Sequence, residues 1–277
     1  ERIEKLKKSI ITLIVETLAK TIKFPVRQDC VVPPDIFNAF AKRIKELKSE
    51  TAGVVPDIAF ITFNYDFILD YALQCNGIAT DYCLFGRAPI ERGIPLLKLH
   101  GSLNWLRCDK CNGITAIDMK EFQKIRFGYG GHAVTNLDLN MHKTYTRAEF
   151  KCSRCEDQRL NDSPVLVPPT WNKSGYHDNV RNVWQAAAKV LAEAENIFVV
   201  GYSLPPTDLF FRYLFAMSAD SSTWLKRFWV YNPDSEVGDR FRKICGSGII
   251  ERFKFTQNSF GGVYNEICNT IENDLKR

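Results

Sequence analysis

The chain has 277 residues, 45% hydrophobic and 25% charged, enough to bury a full core as one large domain or two small ones. Its 37 basic and 32 acidic residues leave a net charge of +5. Apart from a short Lys5-to-Lys8 cluster the basic ones are scattered, as on a solvated surface, which argues against nucleic acid as a partner. No apolar run approaches the ~20 residues of a membrane helix. The opening Glu1-Arg2-Ile3-Glu4-Lys5 enters an amphipathic pattern rather than a secretory signal, so the expectation is no membrane role and a cytoplasmic location.

Ile3, Leu6, Ile10, Leu13, Ile14 and Leu18 fall at helical spacing and predict a long amphipathic helix, with a second one from Pro34 to about Leu47. Asp57 to Phe63 is a short apolar run that reads as a buried strand, followed by Asn64, Tyr65, Asp66 and a helical stretch from Phe67 to Leu73. Asn64 or Asp66 can cap that helix, and a cap position is also where ligands bind. Leu96 to Leu99 is a further buried strand, ending on His100 with Gly101 behind it to let the chain turn. A lone histidine is more often structural than catalytic. His100 is the one of four that ends an apolar run and precedes glycine, and imidazole is the side chain best poised to take a proton near neutral pH.

From Leu106 to Asp162 the chain turns polar. Cys108-Asp109-Lys110-Cys111 and Cys152-Ser153-Arg154-Cys155 are two Cys-x-x-Cys knuckles, whose four thiolates suit closed tetrahedral coordination of structural Zn2+. The alternative is two reduced pairs without metal. The other five cysteines (Cys30, Cys75, Cys83, Cys245, Cys268) are scattered singles, expected as buried apolar residues in a reducing compartment. Pro164 to Val167 predicts a strand returning to the main sheet, and Asp178 to Ala194 a helix. Asn196 to Val200 is a strand tipped by Gly201, Tyr202 and Ser203, ahead of an apolar helix from Leu209 to Met217. A glycine and a serine there suit close approach to a phosphate or form a plain turn. Phe228 to Tyr231 is a strand tipped by Asn232, Ile249 to Phe255 an edge strand, and Gly262 to Leu275 a closing helix.

Strands alternating with helices predict an α/β fold: a Rossmann-like, mainly parallel sheet with helices on both faces, plus a small zinc-ribbon-type module. The expected domains are residues 1–105 with 163–277 for the sheet and 106–162 for the insert. The strand tips are expected to converge on one nucleotide site with His100 as its base.

The ordered set Asn64/Asp66, His100-Gly101, Cys108/Cys111/Cys152/Cys155, Gly201-Tyr202-Ser203-Leu204 and Asn232 resembles the sirtuin superfamily over about Ile58 to Asn232. The forms Thr62-Phe63-Asn64-Tyr65-Asp66, Lys98-Leu99-His100-Gly101-Ser102-Leu103-Asn104-Trp105 and Val200-Gly201-Tyr202-Ser203-Leu204-Pro205-Pro206-Thr207-Asp208 look like the bacterial sirtuin-like proteins of antiphage defence. That branch hydrolyses NAD rather than using it to deacylate proteins. The family's opening strand and Gly-Ala-Gly phosphate loop have no counterpart here, so a first βα unit is expected upstream of Glu1. Phe63 stands where deacylases carry a glutamine. Val167-Pro168-Pro169-Thr170-Trp171 stands where deacylases pair their backbone with the acyl-peptide, and two prolines lack the N–H groups for that pairing.

The resemblance implies an NAD+ hydrolase cleaving the nicotinamide–ribose bond with water. Asn64 would position water and ribose, His100 would accept a proton, and Asp66 would bind the nicotinamide amide or orient Asn64. Thr62 joins the cofactor contacts, Gly201 and Ser203 meet phosphate or adenosine ribose, and Asn232 meets the adenosine ribose. An NAD-dependent protein deacylase and a non-catalytic domain binding NAD or ADP-ribose are the rival readings. The expected partners are NAD+ and either further copies of the chain or a defence-system protein.

Overall fold

The computed structural model describes residues 2–27, 30–49, 57–86, 89–117, 151–157, 159–168, 174–205 and 224–276. The predicted helix from Leu209 to Met217, the segment Pro169 to Lys173, and His132 and His142 lie outside them. The chain forms two compact units, Glu1–Lys45 with Ile58–Val183 and Glu46–Asp57 with Trp184–Arg277.

Helix α1 (Arg2–Thr21) opens the first unit, β1 (Val26–Arg27) and β2 (Cys30–Val31) pair antiparallel, and α2 (Asp35–Ser49) follows. The helices stand where the apolar spacing predicts them, and α1 turns only part of its predicted row inward. Val15 is buried and Ile11, Ile14, Leu18 and Ile22 pack against the core, while Leu6 and Leu13 are 61% and 67% exposed. In α2 the predicted stripe is the buried one, with Phe40, Ala41, Ile44 and Leu47 inside.

β3 (Phe60–Thr62), α3 (Ile68–Cys75), β4 (Thr80–Asp81) and β5 (Ile94–Lys98) build a parallel ladder in the order β3-β5-β4. Leu96 and Leu97 have no exposure, as befits the central strand of a parallel sheet. The chain then turns at Leu99-His100 and enters β6 (Gly101–Cys108), the centre of an antiparallel sheet with β7 (Ile114–Ala116) and β8 (Leu160–Leu166). β8 corrects one expectation: instead of returning to the parallel strands it pairs with β6, through Gly101↔Leu166 and Ser102↔Val165, with bulges further along. Pro164 in this strand has no N–H to give a regular ladder. One apolar cluster joins α1 and α3 to this sheet, from Val15, Phe24, Phe67 and Tyr71 to Leu103, Leu106, Cys108 and Cys152. Phe24 stacks on Phe67 at 5.7 Å and meets the edge of Tyr71 at 5.6 Å.

Helix α4 (Ser174–Glu193) precedes β9 (Asn196–Val200) and β10 (Arg227–Tyr231). α5 (Glu236–Arg242), the one-turn α6 (Ser247–Ile250), β11 (Phe253–Thr256) and α7 (Phe260–Leu275) complete the second unit. Its parallel ladder runs β11-β10-β9. The edge strand begins at Phe253 rather than Ile249, because Ile249 is buried from within α6. Among the single cysteines, Cys268 is buried, Cys83 and Cys245 are half-buried, and Cys75 is exposed, against expectation, at the end of α3. The fold is thus α/β, with two parallel three-stranded ladders, interleaved helices and a four-cysteine sheet module.

Gly101 has a φ of +81°, and a Cβ there would lie 2.0 Å from the Val165 carbonyl oxygen. Only glycine fits this turn. Gly101→Ala is expected to cost more than the ~1–3 kcal/mol of left-handed strain alone, because rigid β8 backbone would have to move as well. Equilibrium urea unfolding measures the loss, and one below about 1 kcal/mol would contradict this geometry.

Candidate active site and metal centre

The register Thr62↔Lys98 places Asn64 and His100 two residues beyond the carboxyl ends of neighbouring parallel strands. That end of an α/β ladder is where ligands bind. Leu99 N–H donates to the Thr62 carbonyl at 2.9 Å, tying the two tips together. The Thr62 hydroxyl accepts the Asn64 N–H at 3.1 Å, a local turn that leaves Asn64 exposed. Tyr65 is fixed at both ends: its carbonyl accepts Leu103 N–H at 2.9 Å, and its hydroxyl donates to the Val167 carbonyl at 2.7 Å. Asp66 Oδ1 accepts the Ile68 N–H at 3.0 Å, a local turn just ahead of the helix, whose cap position is Phe67 rather than Asp66 or Asn64.

The His100 ring is 7% exposed, edge-on to Phe63 at 5.0 Å and tilted over Tyr65 at 6.1 Å. Both chain neighbours of Asn64 therefore touch the imidazole. The His100 carbonyl accepts Val167 N–H at 2.8 Å. Thr62, Asn64, Asp66 and His100 are accordingly brought together in the first unit.

In the second unit the register Tyr231↔Val200 puts Gly201 and Asn232 just past neighbouring strand ends. Gly201 has a φ of +71°, donates its N–H to the Tyr231 carbonyl at 2.9 Å, and among the described residues has nothing within 4 Å of where a Cβ would stand. The Ser203 carbonyl accepts Arg240 Nη1 at 3.1 Å. Asn232 is buried, and its Oδ1 accepts Asp234 N–H at 2.9 Å, a turn of its own.

Sequence reasoning passed over Lys98 and Asp70. The Lys98 ammonium has no exposure, donates to both Asp70 carboxylate oxygens at 3.1 and 3.3 Å, and also donates to the Asp66 carbonyl. The signal was a charged residue inside the apolar run Leu96 to Leu99, which requires a buried partner.

The four knuckle sulfurs of Cys108, Cys111, Cys152 and Cys155 lie within 4.8 Å of one another. Cys108–Cys155 at 3.6 Å and Cys111–Cys152 at 3.5 Å are far beyond the ~2.05 Å of a disulfide bond. The knuckles share one backbone form. Asn112 N–H bonds the Cys108 carbonyl and Glu156 N–H the Cys152 carbonyl, both at 2.9 Å, and both residues take positive φ (54° and 57°). Four soft donors around one point fit structural zinc and leave no position open for substrate.

The crowding is visible in the proton affinities. Burial raises the Cys152 thiol, but the N–H groups of Arg154 and Cys155 and the neighbouring sulfurs outweigh it and bring it to about 6. In Cys155 the Asp157 N–H pulls the thiol down, yet burial and the other three sulfurs push it up to about 12.

No family profile and no curated protein matches the chain. Solved structures do. A Sir2 homolog–NAD complex is 18% identical over 88% of this chain and 67% of that one, with a TM-score of 0.39. Sir2Af2 bound to a myristoylated histone peptide is 16% identical over 98% and 81%, with a TM-score of 0.43. A structure bearing on the mechanism and regulation of Sir2 enzymes is 17% identical over 84% and 68%, with a TM-score of 0.38.

Purified intact protein is expected to carry about one zinc ion per chain, and Cys152→Ser to carry none and to unfold at lower temperature. Elemental analysis and thermal melting test this. Lowering the pH should release the metal as protons compete for the thiolates.

Proposed function

We propose that this chain is the NAD-handling part of a cytoplasmic, sirtuin-like NAD+ glycohydrolase acting in bacterial antiphage defence. The observation that carries the reading is the exposed Asn64 held between two residues that both contact the His100 ring. Cleaving the nicotinamide–ribose bond passes through an oxocarbenium-like state. The protein must hold the ribose, place the acceptor and take a proton, while few covalent steps are asked of it. Asn64 positions water and ribose, and His100 accepts the proton from that water or from a ribose hydroxyl. Asp66 and Thr62 are assigned to the nicotinamide side, Gly201 and Ser203 to phosphate or adenosine ribose, and Asn232 to the adenosine ribose. Cys108, Cys111, Cys152 and Cys155 would hold a structural zinc ion, which would tie together the sheet that follows His100 and supply no chemistry to the reaction.

Water is favoured over an acyl-peptide as acceptor by Val167. Its N–H is bonded to the His100 carbonyl and its carbonyl to the Tyr65 hydroxyl, and Pro168 follows without an N–H. A peptide strand would find no free backbone pair there. The reading includes assembly with further copies of the chain or with a defence-system protein, through the opening helix that exposes Leu6 and Leu13.

Nicotinamide release from NAD by the intact protein tests the proposal. His100→Ala and Asn64→Ala are each expected to lower it by a hundredfold or so while the protein stays folded. Release only on addition of an acylated peptide would mark a deacylase, and saturable NAD binding without release would mark a sensor.

A further inference from the structure

A series of polar side chains, buried except for the half-buried Tyr82, lies behind the Asn64 loop. Ser102 Oγ donates to Asn104 Oδ1 at 2.6 Å, and Asn104 Nδ2 donates to the Tyr82 hydroxyl at 3.2 Å. Tyr82 donates to Asp70 Oδ1 at 2.6 Å. Lys98 closes the series by donating to Asp70 and to the Asp66 carbonyl. Ser102 Oγ also stands 3.4 Å from the Tyr65 carbonyl. The series thus begins and ends on consecutive peptide groups of the candidate loop. Its direction is fixed: Asp70 only accepts, and Tyr82 stays a neutral donor because burial, and then the Asp70 carboxylate, hold its phenol well above the ordinary value.

For stability alone this arrangement is a poor choice. Lys98 and Asp70 are 0% and 3% exposed, and a buried ion pair is often matched or bettered by apolar residues of the same volume. What apolar residues cannot supply is a donor to the Asp66 carbonyl. Lys98, two residues before His100, supplies that donor, while Ser102, two residues after it, gives its one proton to Asn104 and ties the series to the strand that bonds the Tyr65 carbonyl.

We propose that Lys98, anchored by Asp70 and the Tyr82–Asn104–Ser102 series, is a positioning residue that fixes the Asn64–Asp66 loop against His100. It acts on the reaction through the backbone and touches no reactant. The role rests on the glycohydrolase reading for its effect on rate, but not for its effect on the loop.

The test compares intact wild type with Lys98→Met and with the charge-balanced Lys98→Met/Asp70→Asn. Removing Lys98 alone strands a buried carboxylate and lowers the melting temperature. The double variant, with no uncompensated charge, is expected to recover most of that loss. Hydrogen exchange is read at the amides of Ile68 and Leu103, which bond Asp66 Oδ1 and the Tyr65 carbonyl. In the double variant these amides are expected to exchange at least about tenfold faster. The kcat for NAD cleavage should fall about tenfold to a hundredfold, with KM within about threefold. A merely structural pair predicts that recovered melting brings recovered kcat.

Wild-type exchange at those amides in the double variant overturns the proposal whatever the activity, and so does wild-type kcat in an active enzyme. Faster exchange in a protein whose wild type does not cleave NAD upholds the positioning role and removes the glycohydrolase reading instead. Should the double variant fail to fold, Tyr82→Phe, which deletes one arm and no charge, is read in the same assays. About threefold faster exchange is then expected, and wild-type values overturn the proposal.

Discussion

The tip of β3 is captured by donors from one short stretch of chain. Leu99 N–H takes the Thr62 carbonyl, Leu103 N–H the Tyr65 carbonyl, and the Lys98 ammonium the Asp66 carbonyl. Between the first and second of these the chain leaves a parallel ladder and enters an antiparallel one, within His100 and Gly101. Such a change of partner needs a left-handed residue with β8 backbone pressed against it, and Gly101 meets both demands. His100 therefore sits at a junction whose two sides are fixed by different sheets. A loop with exposed peptide groups would otherwise sample many conformations; here the carbonyls of Thr62, Tyr65 and Asp66 are bonded to one rigid element, which restrains the backbone on both sides of Asn64.

The metal centre stands at the other end of the same strand. β6 starts at Gly101 and ends at Cys108, so the sheet that buries one side of the His100 turn is terminated by a zinc ligand candidate. Cys108 and Cys152 share an apolar cluster with Val15, Phe67 and Tyr71. The four-cysteine module is thus continuous with the packing under α3, the helix that Asp66 helps to start. β7 has three residues and β8 is irregular at its two register shifts, so hydrogen bonding alone holds this sheet weakly. Metal ligation supplies what short strands and an interrupted ladder do not.

What the sequence displayed, and what it hid, follows from how far apart the interacting residues lie. The parallel strands are apolar runs, and the knuckles carry their chemistry in four letters. His100 is marked by its place at the end of one run. The row predicted for α1 holds at Ile14 and Leu18 but fails at Leu6 and Leu13, because Ile11 and Val15 fit a helical stripe equally well; periodicity gives a face but not which face the neighbours cover. The first half of β8 was hidden by Asn161-Asp162-Ser163, three polar residues that read as loop yet belong to the strand whose second half, from Pro164, the apolar run marks. The Lys98 series was hidden more deeply, since its members are separated by 28, 12 and 22 positions and no local pattern links them. Only the oddity of a lysine among leucines pointed to it.

In the proposed reaction, the acceptor for an oxocarbenium-like centre would be selected by what the surrounding backbone can still bind. An edge that accepts a peptide strand must present alternating free N–H and carbonyl groups. At Val167 the two groups are turned inward, one to the residue that carries the candidate base and one to the residue after Asn64. The same two bonds that stiffen the loop therefore remove the local means of docking a peptide, and Pro168 extends the gap by one more missing donor. Under the proposed glycohydrolase reading, rigidity around His100 and a preference for a small acceptor would both follow from this one pair of hydrogen bonds.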